Sequence, residues 1–208
     1  MFPRSLPGRI GLVLTVVLLV VAAGLYGWSR FGQGGREAVG AAAIGGPFEL
    51  VDHTGEMRSE QDFRGRYMLV YFGFTYCPDV CPTGLATISR GLESLAGQAP
   101  EKAEAVVPVF ITIDPERDDP EAMASYVSHF HDRMLGLTGT PEQIAEVAKE
   151  YRVYYRKVEE EEGTEGAYMM DHSSFIYLIG PDGNYVTHFA HDAAADEIAE
   201  GLAERVEL

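Results

Sequence analysis

Cysteine is nearly absent: the 208 residues contain two, Cys77 and Cys81, and one tryptophan. A framework of several disulfides is excluded, and so is a zinc site built from four cysteines. A bridge between residues only four apart closes a tiny loop and adds little stability by chain entropy, so a purely structural disulfide is a poor account of the pair. Acidic residues are missing from the first 36 positions, which hold Arg4, Arg9, Arg30 and Arg36. Removing those four from the 16 basic residues leaves 12 against 32 acids beyond Arg36, a balance of −20. Such a charge argues against nucleic acid and against adhesion to anionic lipid. No internal repeat is visible.

What is present begins with one long uncharged stretch. Ile10 to Trp28 is rich in Leu and Val and has the length of a single membrane-spanning helix, with Arg4 and Arg9 before it and Tyr26 and Trp28 as interfacial anchors. The expected arrangement is residues 1–30 as cytoplasmic N-terminus and uncleaved anchor, 31–46 as a glycine-rich tether, and 47–208 as the folded domain. With no mitochondrial-type presequence, the reading is a bacterial inner-membrane protein with one pass and its domain in the periplasm.

Tyr67 to Phe74 is a continuous apolar and aromatic run of the kind used by a buried central strand. Cys77 and Cys81 follow it, and then a helix over Thr83 to Leu95 with a stripe at Leu85, Ile88, Leu92 and Leu95. The cysteines therefore stand where a strand turns into a helix, the place open α/β sheets use for ligands. Pro82 suits a first helical turn, with Cys81 as N-cap, and Pro78 stiffens the loop between the sulfurs. A helix N-terminus favours the thiolate, and a pair of thiolates can form a disulfide or bind a soft metal ion.

The remaining pattern predicts a hairpin over Phe48–Asp52 and Met57–Ser59, a connector at 61–66, and a second strand at Ala105–Ile113. It continues with helices at Glu121–Phe130 and from Thr140-Pro141 to about Tyr151, separated by a short strand at Met134–Leu137. An extended segment at Val153–Val158, a charged loop at 159–163, a strand at Ser173–Ile179 with its return at Tyr185–Phe189, and a terminal helix at Ala193–Val206 complete the domain. This order is the plan of a thioredoxin-like α/β fold, a central mixed sheet flanked by helices with an added N-terminal hairpin. In that plan a cis-proline faces the cysteines. Here the corresponding stretch reads Met169-Met170-Asp171-His172-Ser173-Ser174, with a histidine in that place. Two thiolates and one imidazole suit Cu(I) in trigonal form and also accept Cu(II). Asp171 is placed to orient the imidazole. Met169 and Met170 are more simply core residues than thioether ligands, and His129, His131, His188 and His191 read as surface or packing residues.

Cys77-Pro78-Asp79-Val80-Cys81-Pro82, the segment Thr112 to Asp118, and Asp171-His172-Ser173 followed by Phe175 to Gly183 together resemble the Sco/SenC family, over about residues 45–205. The resemblance implies a membrane-anchored, thioredoxin-like copper protein that helps assemble the binuclear copper site of cytochrome c oxidase subunit II. It implies Cys77, Cys81 and His172 as copper ligands, with Asp79 and Asp114 in support, and a periplasmic copper donor or thiol reductant as further partner. Thiol-disulfide exchange, keeping the partner's copper-ligand cysteines reduced, is the alternative, and His172 discriminates because electron exchange has no use for an imidazole ligand. Peroxide reduction is disfavoured, since Phe74 stands where peroxiredoxins place a threonine.

Overall fold

Tyr67–Gly73 (β3) is buried at every position, with Leu69, Val70, Tyr71 and Phe72 fully inaccessible to solvent. Each such side chain favours folding by about 1.5–3 kcal/mol relative to exposure, and a strand buried on both faces has to be central. The computed structural model describes residues 44–159 and 168–208, which fall in one compact unit, Ala43–Leu208. In it β3 pairs in parallel with Val106–Thr112 (β4) on one side and antiparallel with Ile176–Ile179 (β8) on the other. Leu135–Thr138 (β5) continues the parallel set, Glu49–Asp52 (β1) and Met57–Ser59 (β2) form the hairpin beyond it, and Tyr185–Phe189 (β9) closes the opposite edge. Among the described residues the sheet has seven strands in the order β2-β1-β5-β4-β3-β8-β9.

Among the described residues five α-helices accompany these strands: Val80–Gln98 (α1), Pro100–Glu104 (α2), Pro120–Val127 (α3), Pro141–Glu150 (α4) and Ala195–Arg205 (α5). The stripe Leu85, Ile88, Leu92 and Leu95 is the buried face of α1. Helix α5 lies close against it at Gly91, where a methyl group would meet Ile198 at 3.0 Å. Helix α4 starts as its sequence dictates: Thr140 Oγ1 accepts the Gln143 N–H, the Gln143 side chain accepts the Thr140 N–H, and Pro141 occupies the first turn.

Three expectations change. Helix α1 begins at Val80 with Asp79 as N-cap, so Cys81 lies inside the first turn and is not its cap. Pro82 is tolerated there because the first four N–H groups of a helix have no intrahelical partner to lose. Residues 44–46, read as tether, belong to the folded unit: Gly45 N–H donates to the Glu150 carbonyl and Ile44 packs on the core. The strand expected at Ser173–Ile179 covers only Ile176–Ile179, and the histidine segment before it forms a strand of its own, Tyr168–His172 (β7), paired antiparallel with Tyr155–Glu159 (β6) as a separate two-stranded sheet. The expected anchor at 10–28, most of the tether and the loop at 160–163 lie outside the described residues. Among the described residues no helix is long and apolar enough to cross a membrane.

Candidate metal centre

The strand-to-helix turn is assembled by one buried carboxylate. Asp118, at the end of the loop after β4, accepts the Thr75 N–H at 3.0 Å, the Thr75 hydroxyl at 2.5 Å and the Thr112 hydroxyl at 2.6 Å. Burial pushes its carboxyl up, and these donors only partly oppose that. The link fixes residues 74–76 against β4, and Cys77 N–H then closes a turn onto the Phe74 carbonyl at 3.2 Å.

Both cysteines are free thiols, Cys77 half-buried and Cys81 buried. Cys77 Sγ accepts the backbone N–H of Cys81 at 3.3 Å. The Cys81 thiol holds the Cys77 pKa down at about 4; burial works against this, and the backbone N–H groups of Cys81 and Asp79 assist. The side-chain hydrogen bond of the Cys81 thiol to Cys77, together with burial, pushes Cys81 upward. Of the pair, Cys77 carries the negative charge and Cys81 keeps its proton.

His172 enters from β7. Its Nε2 is 3.6 Å from Cys81 Sγ, and its Nδ1 is 3.0 Å from the Ser173 carbonyl. A carbonyl only accepts, so this pairing assigns the proton to Nδ1 and leaves the Nε2 lone pair facing the sulfur. Two bonds of zinc-like length, one to sulfur and one to nitrogen, put their donor atoms about 3.5–3.7 Å apart at angles of about 109–120°. The Cys81–His172 separation therefore fits a metal ion between them. Phe74 packs its ring edge-on to the imidazole at 6.0 Å. The thiol of Cys77, Val80, Met169, Met170 and His172 line an open cleft of about 280 Å³. Among the described residues no three Cys, His, Asp or Glu side chains stand as an already closed metal shell. A larger cleft, about 430 Å³, lies between the N-terminal hairpin and α4 and is lined by Phe48, Glu49, Glu60, Gln143 and Glu146, with neither thiol nor imidazole.

The three carboxylates singled out from sequence take different places. Asp79 is exposed at the N-cap, near the Thr83 hydroxyl at 3.4 Å. Asp114 is buried and receives Arg117 Nε at 2.5 Å and the Tyr168 hydroxyl at 2.7 Å. Asp171 faces solvent and pairs with Arg156 at 3.3 Å, and the imidazole contact expected of it belongs to Ser173. Of the other histidines, His188 packs among Phe175, Tyr177 and Tyr185, and His131 Nδ1 accepts the Arg133 N–H. Sequence reasoning passed over Gly73, Thr75, Arg117, Tyr168 and Ser173. Of these, Arg117 and Ser173 lie inside the segments Thr112 to Asp118 and Asp171-His172-Ser173 that carry the family resemblance, but no role was read for them there.

A model of the SCO1/SenC family matches residues 36–207. The mitochondrial SCO2 homolog of Homo sapiens is 46% identical over 170 residues, covering 80% of this chain and 61% of that protein. A SCO2-like protein of Rickettsia prowazekii is 45% identical over 157 residues, covering 76% and 74%. The chain spans 61% to 66% of the length of the mammalian mitochondrial SCO2 homologs it matches. Among solved structures, Arabidopsis thaliana ScoI with copper bound superposes with a TM-score of 0.72 at 40% identity, over 78% of this chain and 97% of that one. Bradyrhizobium japonicum ScoI with copper bound gives 0.69 at 41% identity, over 78% and 99%. With its strand-end cysteines, its facing histidine and its thioredoxin-like mixed sheet, the chain belongs to the SCO1/SenC family.

Proposed function

We propose that this protein is a copper metallochaperone that holds copper through Cys77, Cys81 and His172 and delivers it to the binuclear copper site of cytochrome c oxidase subunit II. The observation that carries the reading is the 3.6 Å approach of His172 Nε2 to Cys81 Sγ, with Nδ1 occupied by the Ser173 carbonyl. Copper is bound in the Arabidopsis and Bradyrhizobium relatives. Two thiolates and an imidazole form a soft, low-coordinate set suited to Cu(I). A thiolate at Cys77 needs no deprotonation step to bind, whereas Cys81 gives up its proton as the metal enters. The open cleft leaves room for a partner thiolate to join the metal before Cys77 leaves, so cargo passes by ligand exchange. Asp79, at the N-cap of α1, and Asp114, bonded to Arg117 and Tyr168, support the site from outside the ligand set. The uncharged run Ile10 to Trp28 would keep the domain at the periplasmic face of the inner membrane, within reach of a membrane-embedded oxidase and of a periplasmic copper donor or thiol reductant.

A dithiol exchanger would need the same two sulfurs, but the contact between Cys81 and the imidazole favours metal. The test is to reduce the full chain in detergent, load it anaerobically with copper, and measure bound metal by mass spectrometry and absorption for the natural protein and for His172→Ala. One copper per chain with thiolate charge-transfer bands for Cu(II), and a marked loss of affinity in the variant, is the expected result. No copper in the natural protein, or equal affinity in the variant, overturns the proposal and returns Cys77 and Cys81 to the alternative, thiol-disulfide exchange.

A further inference from the structure

His172 belongs to the two-stranded β6–β7 sheet, and the hydrogen-bond ladder of the seven-stranded sheet does not hold it. The cysteine turn is fastened separately, through Asp118. Besides the edge contact of Phe74 with His172, one side chain spans both parts and bears on the distance between the imidazole and the sulfurs. Arg117 Nε donates to Asp114 at 2.5 Å and Nη1 donates to the Tyr168 carbonyl, at the start of β7, at 3.1 Å. Its guanidinium carbon lies 3.7 Å from the Tyr168 ring centroid, 4.7 Å from that of Tyr76 and 5.9 Å from that of Phe74. Tyr76 precedes Cys77 directly, and Phe74 is the ring that meets His172 edge-on. The Tyr168 hydroxyl donates to the second oxygen of Asp114, so that carboxylate clamps the cation and the ring together. On β6, Lys157 lies 4.6 Å from the same Tyr168 ring and pairs with Glu116 at 2.5 Å. The planar guanidinium is the group that can stack on a ring and hydrogen-bond in its own plane at the same time.

We infer that Arg117 is a positioning residue whose stack between Tyr168 and Tyr76 sets the separation of the His172 imidazole from the cysteine thiols. The inference rests on the reading of Cys77, Cys81 and His172 as one copper site. In a site whose ligands come from two independently held elements, affinity depends on how firmly those elements are kept in register, and outer residues of this kind are worth about 10–100-fold in metal affinity.

The test is a double-mutant cycle on the full chain, with Cu(I) affinity measured by chelator competition for the natural protein, Arg117→Met, His172→Ala and the pair. Arg117→Met is expected to weaken binding about 10–100-fold when His172 is present and to change nothing in the His172→Ala background. Equal losses in both backgrounds would mean that Arg117 acts on the cysteine turn or on the domain as a whole, and would overturn the inference. Amide hydrogen exchange on the metal-free chain supplies a copper-independent measure. Exchange at residues 155–159 and 168–172 should quicken in Arg117→Met while residues 67–73 and 106–112 keep their protection, and Arg117→Lys should restore only part of the hold. Unchanged exchange at 168–172 overturns the inference, whether or not the natural protein binds copper. Failure of the natural protein to bind copper removes the proposed function, and exchange then decides the role of Arg117. Should Arg117→Met fail to fold, Tyr168→Leu removes the same stack while sparing the Arg117–Asp114 pair, and it is read against the same outcomes.

Discussion

Gly73 ends β3 directly against Cys81: a methyl group on its Cα would lie 2.8 Å from Cys81 Sγ and 2.9 Å from the buried Phe110 ring. The absent side chain is what lets the thiol sit beneath the strand end. Gly73→Ala is expected to cost about 1–3 kcal/mol by overpacking and to push Cys81 out of line with His172. Urea unfolding and Cu(I) competition read the two effects. A variant of natural stability with natural copper affinity would show that Cys81 is free to move at no cost.

The asymmetry of the two thiols is open to measurement in the reduced, metal-free chain. Cys77 is a thiolate above about pH 4, whereas an ordinary cysteine reaches half ionisation near 9. Its alkylation by iodoacetamide is expected to rise as pH passes through about 4 and to stay level through neutrality, with Cys81 modified slowly throughout. Peptide mapping assigns the label. A single rise near pH 9, shared by both residues, would contradict the hydrogen bond from Cys81 to Cys77.

Much of this site was legible because its main parts follow local rules. The all-apolar run of β3, the Leu85-Ile88-Leu92-Leu95 stripe and the Thr140-Pro141 helix start each declare their element within a few residues, and the structure has all three. The start of α1 differs because proline, though favoured at the first helical position, is tolerated throughout the first turn, so Pro82 marks a turn of helix and not its first residue. Strand β7 escaped because Tyr168-Met169-Met170-Asp171-His172 has no clean alternation, whereas its partner β6 overlaps the extended segment expected at Val153–Val158. Arg117 was invisible as a functional residue because its role is a juxtaposition of Tyr76 and Tyr168, which lie far apart in sequence.

Tyr126 carries a buried phenol oxygen with no hydrogen-bond partner among the described residues. Its ring packs tilted against Phe110 at 5.5 Å and edge-on to Phe130 at 5.1 Å, and burial pushes its pKa upward. Removing the hydroxyl keeps the packing and deletes an unsatisfied polar atom, a change worth up to about 1 kcal/mol in favour of folding. Tyr126→Phe is therefore expected to match or exceed the natural protein in urea unfolding. A loss of more than about 1 kcal/mol would indicate a partner for the hydroxyl in solution, such as an ordered water.

Asp52, fully buried at the end of β1, supplies a pH-dependent part of the stability. Burial alone would raise its pKa. The Thr54 hydroxyl at 2.6 Å, Arg58 Nε at 2.7 Å and the backbone N–H groups of Glu56 and Thr54 outweigh that and lower it from 3.8 to about 2. A carboxyl whose folded pKa lies below its unfolded value binds fewer protons in the folded state. Its contribution is complete above the unfolded pKa and disappears as pH falls through the folded one. The shift corresponds to about 1–2 kcal/mol once solvent screening on the partly exposed Arg58 side is discounted. Asp52→Asn should be less stable than the natural protein by a constant amount from about pH 8 down to about pH 5. The gap should then close between about pH 4 and pH 2, the window set by the two pKa values. Urea titrations at stepped pH measure it, and a gap that stays constant to the acid end would show that the Asp52 carboxylate contributes through geometry alone, with its charge playing no part.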